Sequence, residues 1–278
     1  MKPTAFERIV SLLEKAETNE YFSPTVLYKE GWMLKIILQI LKDDLEYPPL
    51  NFQPEARWFS ELKLQSPFHR REGEYARDKK EKRTKIAEGD SNLDGVIGHF
   101  DIREDTKVGF EFRDGATQFV VIEAKLFSEL SEKKFEIKNK EGNIFTKFTY
   151  DQAARNVACM VWAIDQSGKS VEDFDSLGYY VIALEEQLDR KVTKNTFTKY
   201  VNKPSIERTV GTRVNGYKGR ELYEILRTWY DVTFVPALDH IEVGSISWES
   251  LLDVIGDDSL HEFYELCKDF NRKKKLKK

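Results

Sequence analysis

Cysteine and histidine are both scarce in this chain. Cys159 and Cys267 are the 2 cysteines in 278 residues, and they stand far apart. So few thiols, at no ligand spacing, exclude a disulfide scaffold and a cysteine-built zinc site. They fit a reduced, cytoplasmic setting. The 4 histidines, at positions 69, 99, 240 and 261, are scattered. They support neither a zinc cluster nor a histidine-based triad, and His99 reads as structural. Long apolar runs are missing as well. The best stretch, Trp32 to Leu41, is broken by Lys35 and Gln39. It falls short of the roughly 20 residues needed to cross a bilayer. The opening residues, Met1-Lys2-Pro3-Thr4-Ala5-Phe6-Glu7-Arg8, are charged and lack the apolar core of a signal peptide. Neither sign of charge dominates. The net charge is −4 although 33% of residues are charged, so any basic footprint for nucleic acid must be local. No internal repeat is found.

What is present is enough apolar material, 40% of the chain, for a sizeable core. The length suits one large α/β domain or two small ones. Thr4 and Glu7 have capping-box spacing, and apolar residues follow, which predicts a helix over 4–17. Ser23-Pro24 is a second start signal. The run Thr25 to Lys42 then places apolar residues at helical spacing. Trp58 to Leu64 reads as a strand, as do Leu93 to Ile102, a short piece within Thr106 to Asp114, and Gln118 to Phe127. The last of these is apolar on both faces apart from two charges, so it is predicted to be central and covered on both sides. Tyr150 to Asp165 reads as a buried helix and Leu177 to Leu184 as a buried strand. Helices are expected over 221–230, 248–254 and 259–270, followed by a basic tail from Asn271. Three consecutive strands, a crossover helix and another strand predict a mixed sheet flanked by helices. The expectation is a single domain, with its core over about 24–184 and a helical elaboration over about 185–270.

Glu123 and Lys125 are the two charges in the central strand. Residues two apart in a strand share a face, so these two point together, with Val121 and Phe127 on the same side. A carboxylate and an ammonium in such an apolar strand are costly unless paired or bound to a metal. Asp94 lies on the preceding strand and can meet Glu123 across the ladder. Two adjacent carboxylates repel unless a cation lies between them. Mg²⁺ suits such a site, because hard oxygen donors from few protein groups leave room for waters and phosphate oxygens. The Ala124 carbonyl would be a further ligand, and Lys125 would stand beside an attacking water.

Acid-x-Lys triplets begin at Glu61, Asp78, Asp105, Glu123, Glu132, Glu136 and Asp189. Context selects Glu123-Ala124-Lys125, which alone lies in a near-continuous apolar strand, follows an acidic strand and precedes a long apolar helix. Glu30 falls inside the apolar stripe of its helix, with Val26, Leu27, Met33 and Leu34 three or four residues away. A carboxylate there asks for a partner, and the metal site is one. Gln152 and Arg155 open the crossover helix, whose N-terminal end suits phosphate. Asn156 and Cys159 continue the line from Gln152.

This order of residues resembles the PD-(D/E)XK nuclease superfamily, with its restriction-endonuclease-like fold. The resemblance covers about residues 24–184. It rests on Glu30 in a helix, Leu93-Asp94-Gly95-Val96, the Glu123-Ala124-Lys125 triplet and Tyr150-x-Gln152 on the following helix. The last pair looks most like the RecB-type branch. Leu93 stands where the motif has proline. The resemblance implies an αβββαβ core, Mg²⁺ or Mn²⁺ dependence and phosphodiester hydrolysis, most readily of DNA. Asp94, Glu123, Lys125 and Gln152 would form the site, and Glu30 would support the metal.

The competing structural readings are an ion pair for Glu123 and Lys125, a turn-forming Asp94 before Gly95, a core salt bridge for Glu30 and a capping amide for Gln152. Arg70, Arg71, Lys79, Lys80, Lys82 and Arg83 lie in a charged segment that is either a solvated loop or a DNA-contacting arm. Arg155 is a further candidate DNA contact. Gly211 to Lys218 fails the phosphate-loop pattern. A non-cleaving DNA-binding or scaffold protein with the same fold is the rival from another class, and an RNA-directed nuclease is a third reading. Cutting both strands with one site per chain would call for a homodimer, although no interface signal stands out.

Overall fold

A computed structural model of the chain describes residues 27–43, 45–68, 88–103, 109–138, 144–189 and 196–276. The helix expected over 4–17, the start signal at Ser23-Pro24 and the charged segment holding Arg70, Arg71, Lys79, Lys80, Lys82 and Arg83 lie outside the described residues.

Helix α1 (Glu30–Asp43) buries Met33, Leu34, Ile37, Leu38 and Leu41, one stripe at helical spacing. The strands that follow are short: β1 (Arg57–Phe59), β2 (Leu62–Leu64), β3 (Ser91–Leu93), β4 (Gly95–Gly98), β5 (Phe100–Ile102) and β6 (Phe110–Phe112). Longer elements come next: β7 (Gln118–Ala124), β8 (Glu132–Lys138), β9 (Ile144–Asp151), helix α2 (Gln152–Gln166) and β10 (Ser176–Ala183). The remainder is α3 (Glu185–Leu188), α4 (Thr196–Tyr200), α5 (Lys203–Asn215), α6 (Tyr223–Trp229), a π-helical turn over Tyr230–Phe234, α7 (Val235–His240), β11 (Glu242–Ser247), α8 (Trp248–Ile255) and α9 (Asp258–Leu276).

Five strands form the central sheet in the order β1-β4-β7-β10-β11. The pairs β1–β4 and β4–β7 are antiparallel, and β7–β10 and β10–β11 are parallel. The sheet is therefore mixed, with β7 at its centre, as its two-faced apolar sequence predicts. Every residue of β7 is buried. Side-chain alternation divides the core into two layers. Phe119, Val121, Tyr179 and Val181 pack with α2, α5 and α6 on one face. Val120, Ile122, Tyr180 and Ile182 pack with α1, α8 and α9 on the other. Each fully buried Val, Leu, Ile or Phe contributes about 1.5–3 kcal/mol to holding these layers together.

Besides Tyr150, which lies on β9 and not on the helix that begins at Gln152, three expectations need correction. Trp58 to Leu64 is two strands, because the chain bends at Glu61, whose φ is 61°. Leu93 to Ile102 is three strands serving three sheets: β3 pairs with β2, β4 joins the main sheet and β5 pairs with β6. Its breaks fall at Asp94 and His99, which use their side chains on neighbouring backbone. The His99 ring bonds the Pro54 carbonyl through Nε2 at 2.9 Å and accepts from the Thr117 amide through Nδ1 at 3.2 Å. Gly98 fits beside this break because a Cβ there would lie 2.3 Å from the Gln118 carbonyl oxygen. Third, the strand expected to reach Phe127 ends at Ala124, and Phe127 turns left-handed at φ 60°. Its ring therefore packs with the α1 layer and not on the Glu123 face.

The β8–β9 hairpin and the edge strand β11 add to the expected elements. Helix α9 runs through the residues read as the start of a loose tail. Gly211 lies within α5 and not in a phosphate loop. Among the described residues, no helix is long and apolar enough to cross a membrane.

Candidate functional site

Asp94 and Glu123 meet because of register. Gly95 pairs with Ile122, so the next rung of the antiparallel ladder sets Asp94 opposite Glu123. Opposed residues project to the same face. Asp94 leaves the regular ladder there, and its Oδ2 accepts the Ala124 amide proton at 2.8 Å. On the other edge of β7, the Lys125 amide donates to the Ile182 carbonyl at 2.8 Å. The backbone of Ala124 therefore faces Asp94. A strand residue turns its N–H and C=O to the same side, which puts the Ala124 carbonyl on the Asp94 side too.

Glu123 is the floor of the site, with 1% of its surface exposed. Its Oε1 accepts from Lys125 Nζ and from Gln152 Nε2, the latter at 2.5 Å. Its Oε2 accepts from Asn156 Nδ2 at 3.0 Å. Gln152 and Asn156 are four residues apart on α2, so one helix face delivers both amides. Gln152 is held in turn by Ser131, whose amide and hydroxyl both donate to its Oε1 at 3.2 and 3.3 Å. Asn156 is held by Ser91, whose hydroxyl donates to Oδ1 at 2.6 Å. Asp151 caps α2 by accepting from the Ala154 amide at 2.9 Å, which fixes where the helix begins.

The electrostatics of this cluster lean acidic. The Glu123 carboxyl is pushed up to about 8, first by burial and then by the Asp94 carboxylate, with Lys125 pulling the other way. Burial works to lower Lys125, but the Glu123 carboxylate outweighs it, and the ammonium is raised overall. Both groups therefore retain protons, Glu123 chiefly because it is buried and next because Asp94 faces it, and Lys125 because Glu123 lies beside it. Glu30 opens α1, and its charge reaches Lys125 through space. It is half-buried, as its place in the stripe predicts.

Arg155 turns elsewhere. Its guanidinium donates to the carbonyls of Gly89 and Asp90 at 3.2 and 2.6 Å and stands 3.7 Å from the Glu88 carboxylate. It holds the chain entering β3 and does not line the Glu123 site. Glu88 is itself buried and accepts from the Ser66 hydroxyl. Nearby, the fully buried Arg213 lies about 5 Å from the rings of Phe68 and Tyr150 and is influenced by the Glu88 charge.

The turn after Lys125 is held by residues distant in sequence. The indole N–H of Trp248 donates to the Lys125 carbonyl at 2.9 Å. Gln187 accepts from the Phe127 amide and donates to the Ser128 carbonyl. These contacts sustain the left-handed Phe127, a conformation costly for a side chain of that size.

Asp94, Glu123, Lys125 and Gln152 thus come together as their sequence spacing predicts. Ser91, Ser131, Gln187 and Trp248 were not singled out by sequence, and Asn156 was marked only as lying on the line from Gln152. That helical line was the one available signal. Among the described residues, no group of three or more His, Cys, Asp or Glu side chains encloses a metal position. The converging acids are two, Asp94 and Glu123, with the Ala124 carbonyl beside them. Such a sparse, all-oxygen set with surplus negative charge fits Mg²⁺ or Mn²⁺, which keep several waters, better than zinc. Comparison with family models, with curated proteins and with solved structures gave no match.

Proposed function

We propose that this chain is a metal-dependent nuclease that hydrolyses phosphodiester bonds, with DNA as its preferred substrate. The observation that carries the reading is the meeting of Asp94, Glu123, Lys125 and Gln152 around one buried carboxylate with too little positive charge. The element order supports it. One helix, three antiparallel strands (β1, β4 and β7), the crossover helix α2 and the parallel strand β10 follow the αβββαβ plan of the superfamily that the sequence resembles.

Asp94, Glu123 and the Ala124 carbonyl would hold Mg²⁺ or Mn²⁺. When bound, the ion would offset charge on the scissile phosphate and acidify a water. Lys125, at the mouth with 12% of its side chain exposed, would orient the attacking water and balance charge developing on the phosphate. Gln152 keeps Glu123 in place; the first amides of α2 are already taken, by the Ser131 carbonyl and the Asp151 carboxylate, so the helix end itself is not offered to phosphate. Glu30 adds negative charge on the Lys125 side.

The non-cleaving reading has one observation in its favour, since among the described residues two carboxylates converge and no group of three does. Cleavage of plasmid, linear and single-stranded DNA with Mg²⁺ or Mn²⁺ separates the two, with Lys125→Ala as the control. The expected outcome is cleavage that needs metal and is lost in the variant. Equal cleavage by both proteins, or none by the wild type, would overturn the reading.

A further inference from the structure

We infer that Ser91 and Asn156 form a positioning relay that aims the Glu123 carboxylate at a divalent cation held between it and Asp94. The inference rests on the proposed metal-dependent reading and assigns two residues that touch neither substrate nor ion.

The argument is a count of acceptor sites. An ionised carboxylate offers about four lone-pair positions, two on each oxygen. Oε1 of Glu123 uses both of its positions, on Lys125 Nζ and Gln152 Nε2. Oε2 uses one, on Asn156 Nδ2 at 3.0 Å. The remaining position is on Oε2; the Asp94 carboxyl, which faces Glu123 across the ladder, also meets it through a side-chain hydrogen bond, a contact that a cation would replace.

Asn156 can hold Oε2 only while its nitrogen, and not its oxygen, faces Glu123. An amide flipped about its long axis would set oxygen against oxygen. The Glu123 carboxylate, which can only accept, selects the nitrogen, and Ser91 anchors the other end of the amide by donating its hydroxyl to Asn156 Oδ1 at 2.6 Å. Both residues are sealed from water, Asn156 at 0% exposure and Ser91 at 2%. No solvent molecule can readily replace either bond, and a lost partner in such a place is felt in full.

The relay is also built into the chain path. Ser91 stands on β3, three residues before Asp94, and Asn156 stands one helical turn after Gln152. The segment that supplies Asp94 therefore also carries the group that orients Glu123. Lys125 cannot substitute, since it meets the other oxygen. Groups that orient metal ligands in this way typically affect metal affinity by about 10–100-fold.

The test is calorimetric Mn²⁺ binding to the full chain in four forms: wild type, Ser91→Thr, Ser91→Cys and Ser91→Ala, each with its melting temperature. Threonine keeps the donor, cysteine keeps the volume but donates weakly, and alanine removes the donor. The expected result is near-wild-type affinity for threonine, an intermediate value for cysteine and a loss of about tenfold or more for alanine. Affinities that follow melting temperature and not donor strength would overturn the relay, as would alanine binding Mn²⁺ like the wild type. A wild-type protein that binds no Mn²⁺ overturns the proposed function and the relay with it, an outcome distinct from the other two.

Discussion

Glu123 and Glu88 are both buried against neighbouring flanks of α2, yet their surroundings are opposite in sign. Glu88 faces Arg155 at 3.7 Å, with Arg213 close by, and one of its oxygens accepts from a serine hydroxyl. Glu123 faces a second carboxylate, one ammonium and two neutral amides. Burial of an acid is therefore not by itself the mark of a functional site. The balance of charge around it is the mark, because a balanced group needs nothing more and an acid-rich one attracts a cation.

Neutralising each glutamate in turn is the sharpest way to break this comparison. Glu123→Gln should lower metal-dependent cleavage by at least ~1000-fold, about 4 kcal/mol of transition-state stabilisation, read from single-turnover rates. Glu88→Gln should leave cleavage near wild type and cost about 3 kcal/mol in urea unfolding, because Arg155 would face a neutral group in a buried setting. If both substitutions acted on the same property, the contrast would collapse.

Asp94→Asn gives a smaller effect of opposite direction. It removes the charge that crowds Glu123 but keeps an oxygen for the Ala124 amide. The metal-free protein should gain about 1 kcal/mol, seen as a higher melting temperature in EDTA, while cleavage is lost. A lower melting temperature would show that the two carboxylates do not compete.

The pH dependence follows from Glu123, whose pKa is raised to about 8. Between the ordinary glutamate value and 8, the folded protein holds a proton that the unfolded chain has released. Metal-free stability from this group is thus complete below about pH 4.5 and is lost as pH rises through 8. A cation needs the ionised form, so stabilisation by Mg²⁺ should grow as pH rises toward 8. Melting curves of wild type and Glu123→Gln at pH 6 and 8.5, with and without Mg²⁺, check both slopes. Mg²⁺ shifts that are the same at the two pH values would remove Glu123 from the metal site.

Much of the site was legible in sequence because its geometry is short-range. Two-residue spacing on β7 ties Lys125 to Glu123, and strand order brings Asp94 opposite. What was not legible depends on long-range contact. Nothing near Ser91 marks it as a partner for Asn156, 65 residues away. The Trp248 indole reaches Lys125 from 123 residues away. Helical spacing put Arg155 near the right face but could not say that a loop carbonyl and Glu88 would occupy it. The break at Asp94 was hidden because a strand pattern shows apolar content and not the moment when a side chain takes over a backbone bond. The β8–β9 hairpin did carry a signal, since Lys134-Phe135-Glu136-Ile137-Lys138 alternates and Gly142 marks a turn. Its many charges diluted that pattern.

The central claim is that the Asp94–Glu123 cluster is a cation site, and calorimetric titration of Mn²⁺ near pH 7 tests it most directly. Running it in two buffers of different ionisation enthalpy counts the protons exchanged. The account predicts binding by the wild type with release of roughly one proton per ion, as Glu123 ionises, and no comparable binding by Glu123→Gln. Absence of binding in the wild type, or equal binding by the variant, would contradict it.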